Sequence, residues 1–326
     1  MDRSRSRHAG RVLCAVAMLA IAGPGHGQAY PVKPIRFVIP FSPGGAADVP
    51  ARMIGQELAK TLGQQVISDN RPGAGGGIGA ETVAKSPPDG YMLLMISNTH
   101  TISPSLYKKL NYDILVDFAP VMQIAAAPNV LVVHPSIPAR DVKQLIALAK
   151  SRPGAIDYAS SGNGSAQHLF AALFASMAGI KMNHVPYKGS AQATTDLIAG
   201  HIQVSVPGIN NVLPHVEAGR LRALGVTSRY RSAEMPGVPT IAESGVPGYE
   251  AVLWLGILVP AGTPRDIIAR LNREITGVLS QPEVRKGFAR IGTDVVATDP
   301  VKFAELIRSE VAKWAKVVKE TGVQAN

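Results

Sequence analysis

Residues 40–52, PFSPGGAADVPAR, join an apolar segment to an amphipathic one through a Pro-Gly-Gly turn. The segment that leads into it, IRFVIPF (35–41), is rich in branched and aromatic residues, which is typical of a buried strand. Apolar residues then recur at helical spacing from Met53 to Leu62, and Gly63 follows as a stop signal. The stretch therefore predicts a strand, a tight turn and a helix.

The turn itself is a candidate anion site. A helix that starts here would direct the backbone N–H groups of Gly44, Gly45 and Ala46 toward a ligand, and the helix dipole favours negative charge at that end. Ser42 adds a hydroxyl group. Asp48 would repel an anion, so we expect it to brace the loop or to accept from a ligand amine or hydroxyl. A plain strand-to-helix turn needs the same residues, and that alternative stays open.

The same construction recurs at ASSGNGSAQHLF (159–170), where a strand end is followed by a Ser/Gly loop and a helix. His168 lies three residues after Ser165, which raises the hypothesis of a catalytic Ser–His pair. Against it, the stretch has no G-x-S-x-G motif and no evident acidic partner for His168. A capping or ligand-contacting His168 is the preferred interpretation. The candidate contacts here are Ser160, Ser161, Gly164, Ser165 and His168.

Two further loops have this form. HVPYKG (184–189) offers Tyr187 as an aromatic wall, and SVPGINN (205–211) offers Gly208. Strands and helices alternate through most of the chain, which predicts parallel α/β sheets, and ligands bind at the carboxyl edge of such sheets. Breaks near 128 and 228 are candidate hinges between two lobes.

The glycine-rich stretch RPGAGGGIGAETVA (71–84) resembles a dinucleotide fingerprint but lacks its context. It follows the second predicted strand, and the expected acidic residue does not follow the next one. We interpret it as close packing beside the cleft, with Gly76 and Gly77 bordering the cleft.

The amino terminus has the features of an export signal. A basic segment precedes an apolar run of about a dozen residues, too short for a bilayer that needs about 20. We expect cleavage after Ala29; an N-terminal anchor is the alternative. Cys14, the single cysteine of the sequence, lies in the apolar run, so no disulfide is expected.

The composition argues against several partners. The net charge of +10 is spread along the chain without basic runs or interleaved aromatics, which disfavours nucleic-acid binding. The eight histidines show no metal-ligand spacing, so neither a metal nor a cofactor is expected.

Several motifs in order resemble one family. PFSPGGAADVPAR, NRPGAGGGIGAETVAKSPPDGY, SPSLYKKLNYD, LPHVEAGRLRALGVTS, PGVPTIAESGVPGYE and VPAGTP are similar to the Bug family, the periplasmic receptors of tripartite tricarboxylate transporters, from about Tyr30 onward. The resemblance implies a two-lobed type II periplasmic-binding-protein fold with a cleft between the lobes. It also implies that Phe41–Asp48 and Ser160–His168 grip a ligand carboxylate. Ser97-Asn98 and Val204-Ser205 depart from the pattern of many relatives.

The combined expectation is an exported, non-enzymatic and monomeric receptor that delivers a small organic carboxylate to a membrane permease. A ligand-sensing protein and a Ser165/His168 hydrolase are the alternatives. The expected organisation is a signal peptide at 1–29, one lobe at 30–127 plus 228–326, and a second lobe at 128–227. The expected ligand contacts are Phe41, Ser42, Gly44, Gly45, Ala46, Asp48, Asn98, Ser160, Ser161, Gly164, Ser165, His168, Tyr187 and Gly208.

Overall fold

The computed structural model describes residues 30–45, 47–107 and 109–323. The expected signal peptide at 1–29 and the expected ligand contact Ala46 lie outside these ranges. No helix within the described ranges is both long and apolar enough to cross a membrane.

Strands and helices alternate through most of the chain, as the sequence predicts. In the first part of the chain they are β1 Ile35–Ile39, α1 Asp48–Leu62, β2 Val66–Asn70, α2 Gly77–Ala84, β3 Met92–Ser97, α3 Asn98–Leu106 and β4 Phe118–Pro128. The middle part contains β5 Val130–Val133, α4 Val142–Ser151, β6 Asp157–Ser160, α5 Ala166–Ala178, β7 Asn183–Pro186, α6 Ser190–Ile198, β8 Val204–Ser205, α7 Ile209–Glu217 and β9 Arg222–Val226. The last part contains β10 Val252–Pro260, α8 Arg265–Ser280, α9 Pro282–Arg290, β11 Asp294–Val295 and α10 Pro300–Thr321.

The strands form two sheets, each the centre of one lobe. The first has the order β11-β4-β10-β3-β1-β2 and the second β7-β6-β8-β5-β9. Strands β1, β2 and β3 are parallel, as are β6, β7 and β8. The expectation of parallel sheets holds for part of each sheet only, because β10 runs antiparallel to both β3 and β4, and β5 to both β8 and β9. Each of these strands enters its sheet just after the chain has crossed from the other lobe, so it runs in the opposite direction.

The two crossings lie side by side at the predicted breaks. The chain leaves the first sheet at Pro128 and leaves the second after Val226. At this point Asn129 N–H donates to Thr227 Oγ1 over 2.9 Å, and Thr227 N–H donates to Asn129 O over 2.9 Å. Two of the connections between the lobes are therefore adjacent, hydrogen-bonded segments.

Helix α10 belongs to both lobes. Phe303 and Ile307, in its first half, pack in a core cluster of the first lobe. Trp314 and Val317, in its second half, pack in the core of the second lobe, where the Trp314 ring stacks on Phe170 at 5.7 Å.

Helix α3 is not indicated by the sequence pattern, because Pro104 lies inside it. A proline within a helix removes one backbone donor, but near the end of a nine-residue helix little hydrogen bonding is lost. The helix starts on a capping box in which the Ser97 side chain accepts from the first turn and His100 Nδ1 accepts from Ser97 N–H over 3.3 Å. These contacts stabilise a helix start at the carboxyl end of β3.

Candidate functional site

Loops that start helices gather at the carboxyl edge of each sheet. In the first lobe, β1 leads to residues 40–47, and β3 leads directly into α3. In the second lobe, β6 leads to 161–165 and β8 to 206–208. Parallel strands place their carboxyl ends at one edge, which is where open α/β sheets bind ligands. The predicted site residues therefore fall into one set per lobe.

The first-lobe loop is held from inside by Asp48, whose side chain is buried. Its Oδ2 accepts from Gly44 N–H over 2.8 Å, and its Oδ1 accepts from Asn70 Nδ2 over 2.7 Å. Arg52 Nε lies 3.1 and 2.9 Å from the two oxygens. Of the two roles considered for Asp48, bracing the loop is the one that the contacts display.

The pKa of Asp48 reflects these contacts. Burial alone would raise it, but the hydrogen bonds from Arg52, Gly44 N–H and Asn70 outweigh burial and hold the pKa below its usual value. Asp48 is therefore an anion at neutral pH.

The expectation of free N–H groups on Gly44 and Gly45 is wrong for this structure. Gly44 N–H donates to Asp48, and Gly45 N–H donates to Ser42 O over 3.3 Å. The reason is local: the turn closes on itself, and a carboxylate four residues later reaches back to it. Phe41 O accepts from Asn70 Nδ2 over 3.1 Å, and the Phe41 ring packs edge-on against His100 at 5.7 Å.

The glycine-rich stretch packs closely beside this loop, as predicted. A Cβ placed on Gly76 would lie 2.8 Å from His100 Nε2, and one on Gly79 would lie 2.7 Å from Pro40 Cβ. Burial lowers the pKa of His100 to about 4, so its ring is a neutral packing element.

The second-lobe loop is held by side chains behind it. Ser165 is the N-cap of α5, and its Oγ accepts from His168 N–H over 3.3 Å. The imidazole Nδ1 of His168 accepts from Gly164 N–H over 3.1 Å. Ser160 Oγ bonds to Gly162 and lies 2.7 Å from His184 Nε2. His168 therefore caps the loop, as the preferred interpretation expected, and its ring does not pair with Ser165 Oγ.

Three rings stack behind the loop. His168 and His184 lie 3.6 Å apart with planes 15° from parallel, and Tyr158 stacks on His184 at 5.0 Å. Burial lowers the pKa of both histidines to about 4, and His184 adds to the lowering at His168. Sequence reasoning missed His184, since the signal that pairs it with Tyr158 is the register of β6 and β7. The stack borders a cavity of about 910 Å³ between α5, β7 and the end of α10.

The remaining predicted residues differ in their surroundings. Tyr187 N–H donates to Ser160 O over 3.0 Å, and its hydroxyl donates to Asp196 Oδ2 over 2.7 Å, so the ring is anchored beside the loop. Ser161 is half-buried in the loop, and Gly208 bridges to Asn129 at the crossing. Asn98, the first residue of α3, is completely buried.

The two sets approach each other through α3. The hydrogen bonds given above for Asp48 and for His168 stay within their own lobes. Instead Leu106, at the end of α3, meets the second-lobe loop: a Cβ placed on Gly164 would lie 2.9 Å from Leu106 Cδ1. Gly164 also has φ +71°, so a side chain there would be both strained and obstructed. Within the described ranges, no group of three or more His, Cys, Asp or Glu side chains could hold a metal ion.

Comparison with known proteins agrees with the family resemblance seen in the sequence. Residues 50–323 match the family described as tripartite tricarboxylate transporter family receptor. Protein BugT of Bordetella pertussis is 39% identical over 95% of this chain and 95% of its own length. An R. palustris protein whose structure is described as being with adipate is 36% identical, with a TM-score of 0.74, and covers 90% of this chain and 99% of its own. MatC from Rhodopseudomonas palustris with bound malate is 32% identical, with a TM-score of 0.71, covering 89% of this chain and 100% of its own.

Proposed function

This chain belongs to the tripartite tricarboxylate transporter receptor family, and we propose that it captures a small organic carboxylate between its two lobes and delivers it to a membrane permease. Its two-lobed fold is that of periplasmic binding proteins, and the family is one of periplasmic solute receptors. Relatives solved with adipate and malate support a carboxylate as the class of solute.

The observation that carries the proposal is the pair of loops at the carboxyl edges of the two sheets. Helices α6 and α7 start at Gly189 and Gly208 without a side-chain cap, whereas at the start of α1 the N–H groups of Asp48 and Val49 already donate to Gly45 O. Uncapped helix starts leave N–H donors for an anion, and the dipoles of these helices add to the attraction. In this proposal the solute carboxylate meets these helix starts, while Asp48 and His168 keep the loops in shape.

Closure of the lobes is part of the proposal. We assign one lobe to 30–127 plus 228–326 and the other to 128–227, with the second half of α10 packed against the second lobe and with hinges at the paired crossings near Asn129 and Thr227. A solute that contacts both loops binds the closed form better than the open form and so shifts the population toward it. The closed, monomeric receptor then docks on the permease.

The direct experiment is mass spectrometry of small molecules released from purified, denatured protein. A thermal-shift screen of dicarboxylates, aromatic acids and acidic amino acids extends it, with the corresponding neutral amides as the matched control. The proposal expects at least one acid to raise Tm, while its amide does not. An absence of any acid-specific shift, together with an absence of released acid, would contradict it.

A further inference from the structure

The side chain of Asn98 is buried without a partner. Its exposed fraction is 0%, and neither Nδ2 nor Oδ1 has a hydrogen-bond partner among the described residues. Buried polar groups are almost always paired, because an unpaired one has lost its bonds to water without replacing them. The amide of Asn98 therefore needs a physical explanation.

The helix around Asn98 does not require this amide. Ser97 caps α3, Thr101 Oγ1 donates to Asn98 O over 2.8 Å, and Ser103 Oγ donates to Thr99 O over 2.8 Å. The buried Asn129 offers a contrast, since its Nδ2 donates to Val206 O over 2.7 Å and thereby stabilises the crossing. Asn98 has no comparable structural bond.

The position of Asn98 is where the lobes meet. Residues four apart share a face of a helix, so Asn98 lies on the same face as Ile102, which packs in the core of the second lobe. One turn further along α3, Leu106 contacts Gly164 of the second-lobe loop. On another side of the first turn, His100 packs against Phe41 of the first-lobe loop. Asn98 thus lies between the two loops that we assign to the solute carboxylate.

We propose that Asn98 hydrogen-bonds a hydroxyl group of the solute, so that the preferred solutes are hydroxy-substituted carboxylic acids; this rests on the receptor function proposed above. An amide offers donors at Nδ2 and an acceptor at Oδ1. A solute hydroxyl satisfies both, because it accepts from Nδ2 and donates to Oδ1. A second carboxylate only accepts and leaves Oδ1 unpaired. An ammonium group only donates, and the first turn of α3 carries no acidic residue to balance its charge.

The test compares acids that differ by one hydroxyl group. Isothermal titration calorimetry is run on succinate and both enantiomers of malate, glutarate and 2-hydroxyglutarate, and 3-phenylpropionate and 3-phenyllactate. For any acid that raises Tm in the thermal-shift screen, a pair of that acid with and without one hydroxyl group is added. Wild-type protein is expected to bind the hydroxy acid of the best pair about ten- to a hundredfold more tightly, since the parent acid leaves the amide unpaired.

Asn98→Leu, which is nearly isosteric and apolar, is expected to bring the ratio of the two affinities, for the hydroxy acid and for its parent acid, close to one. Its Tm without solute should not fall, since the substitution removes an unpaired polar group. Thr101→Val is the matched control: it removes a hydroxyl from the same turn and should preserve the ratio. Equal binding of both acids by wild-type protein would overturn the inference without any variant, and so would a ratio that survives Asn98→Leu. If no acid binds wild-type protein, the receptor proposal itself has failed, which is a different result.

Discussion

Trp254 and Trp314 share one carboxylate oxygen: their indole N–H groups donate to Oε2 of Glu310 over 3.2 and 2.8 Å. Trp254 lies on β10 in the core of the first lobe, and Trp314 lies in that of the second. Lys313 pairs with the other oxygen of Glu310 and lies 4.7 Å from the centroid of the Trp314 ring. A single buried anion thus joins the cores of the two lobes at α10.

Glu310→Leu is expected to lower the free energy of unfolding by about 2–4 kcal/mol, because two buried indole donors lose their acceptor. Glu310→Gln keeps one acceptor and should lose less. Urea denaturation followed by tryptophan fluorescence measures both, since the sequence contains these two tryptophans and no others. Equal stability of Glu310→Leu and wild-type protein would show that the shared carboxylate does not stabilise the fold.

Asp48→Ala should weaken the first-lobe loop, since Gly44 N–H, Arg52 and Asn70 lose a common partner. We expect a loss of about 1–3 kcal/mol in the free energy of unfolding. The folded pKa of Asp48 is lowered, so its stabilising effect is present above its unfolded pKa of about 4 and is lost as pH falls through the folded value.

The measurement is the unfolding free energy of wild-type protein and Asp48→Asn between pH 3 and 7. The difference between them should shrink toward the acid end. Asp266→Ala is the control, because Asp266 is also in the first turn of a helix but is exposed. A difference that does not change with pH would argue against Asp48 as the ionised brace.

The stacked histidines predict a second pH dependence. His168 and His184 have folded pKa values of about 4, against about 6.5 in an unfolded chain. Between these values the unfolded chain binds protons that the folded chain does not, so stability falls as pH decreases through this window. His184→Phe keeps a ring in the stack and should flatten the slope of Tm against pH from 7 to 4.5. His201→Gln, at an exposed histidine, should leave the slope as in wild-type protein.

Gly164 and Gly154 have nearly equal φ angles, so a comparison of the two separates the effect of backbone strain from the effect of a side-chain contact. Gly164 has φ +71° and Gly154 has φ +76°, but only at Gly164 would a Cβ meet another atom, Leu106 Cδ1. Gly154→Ala should lower the free energy of unfolding by about 1–2 kcal/mol through strain alone. Gly164→Ala should lose more and bind solute more weakly. Leu106→Ala in the Gly164→Ala background should recover part of the loss; a purely additive result would contradict the contact.

The sequence predicts where strands and helices lie along the chain more accurately than which of them pack next to each other. The sequence correctly predicts that β1 is followed by a turn and then by α1, because Pro-Gly-Gly after an apolar strand is a local signal. The role of Asp48 stays open between bracing and ligand binding at the level of sequence, since a side chain four residues along can point to a ligand or back to the turn, as it does toward Gly44. The place of β10 in the first sheet depends on where the chain returns from the other lobe, which no local pattern contains.

The candidate site shows the same difference between local features, which the sequence predicts, and long-range contacts, which it does not. His168 was identified because it follows a Ser/Gly loop at helical spacing. Its partner His184 lies 16 residues away on β7, and the stack depends on which strands are neighbours and in what register. The roles of the predicted ligand contacts remain predictions, since solute binding depends on how the two loops face each other.

Helix α10 also determines when the core of the second lobe can be fully packed during synthesis. All strands of the second sheet lie between Val130 and Val226, yet Trp314 and Val317 fill part of the core behind that sheet. The second lobe therefore has its full interior only after α10 has been synthesised, long after Val226, the last residue of its sheet. In a nascent chain of this protein the second lobe therefore stays incompletely packed until α10 has emerged from the ribosome.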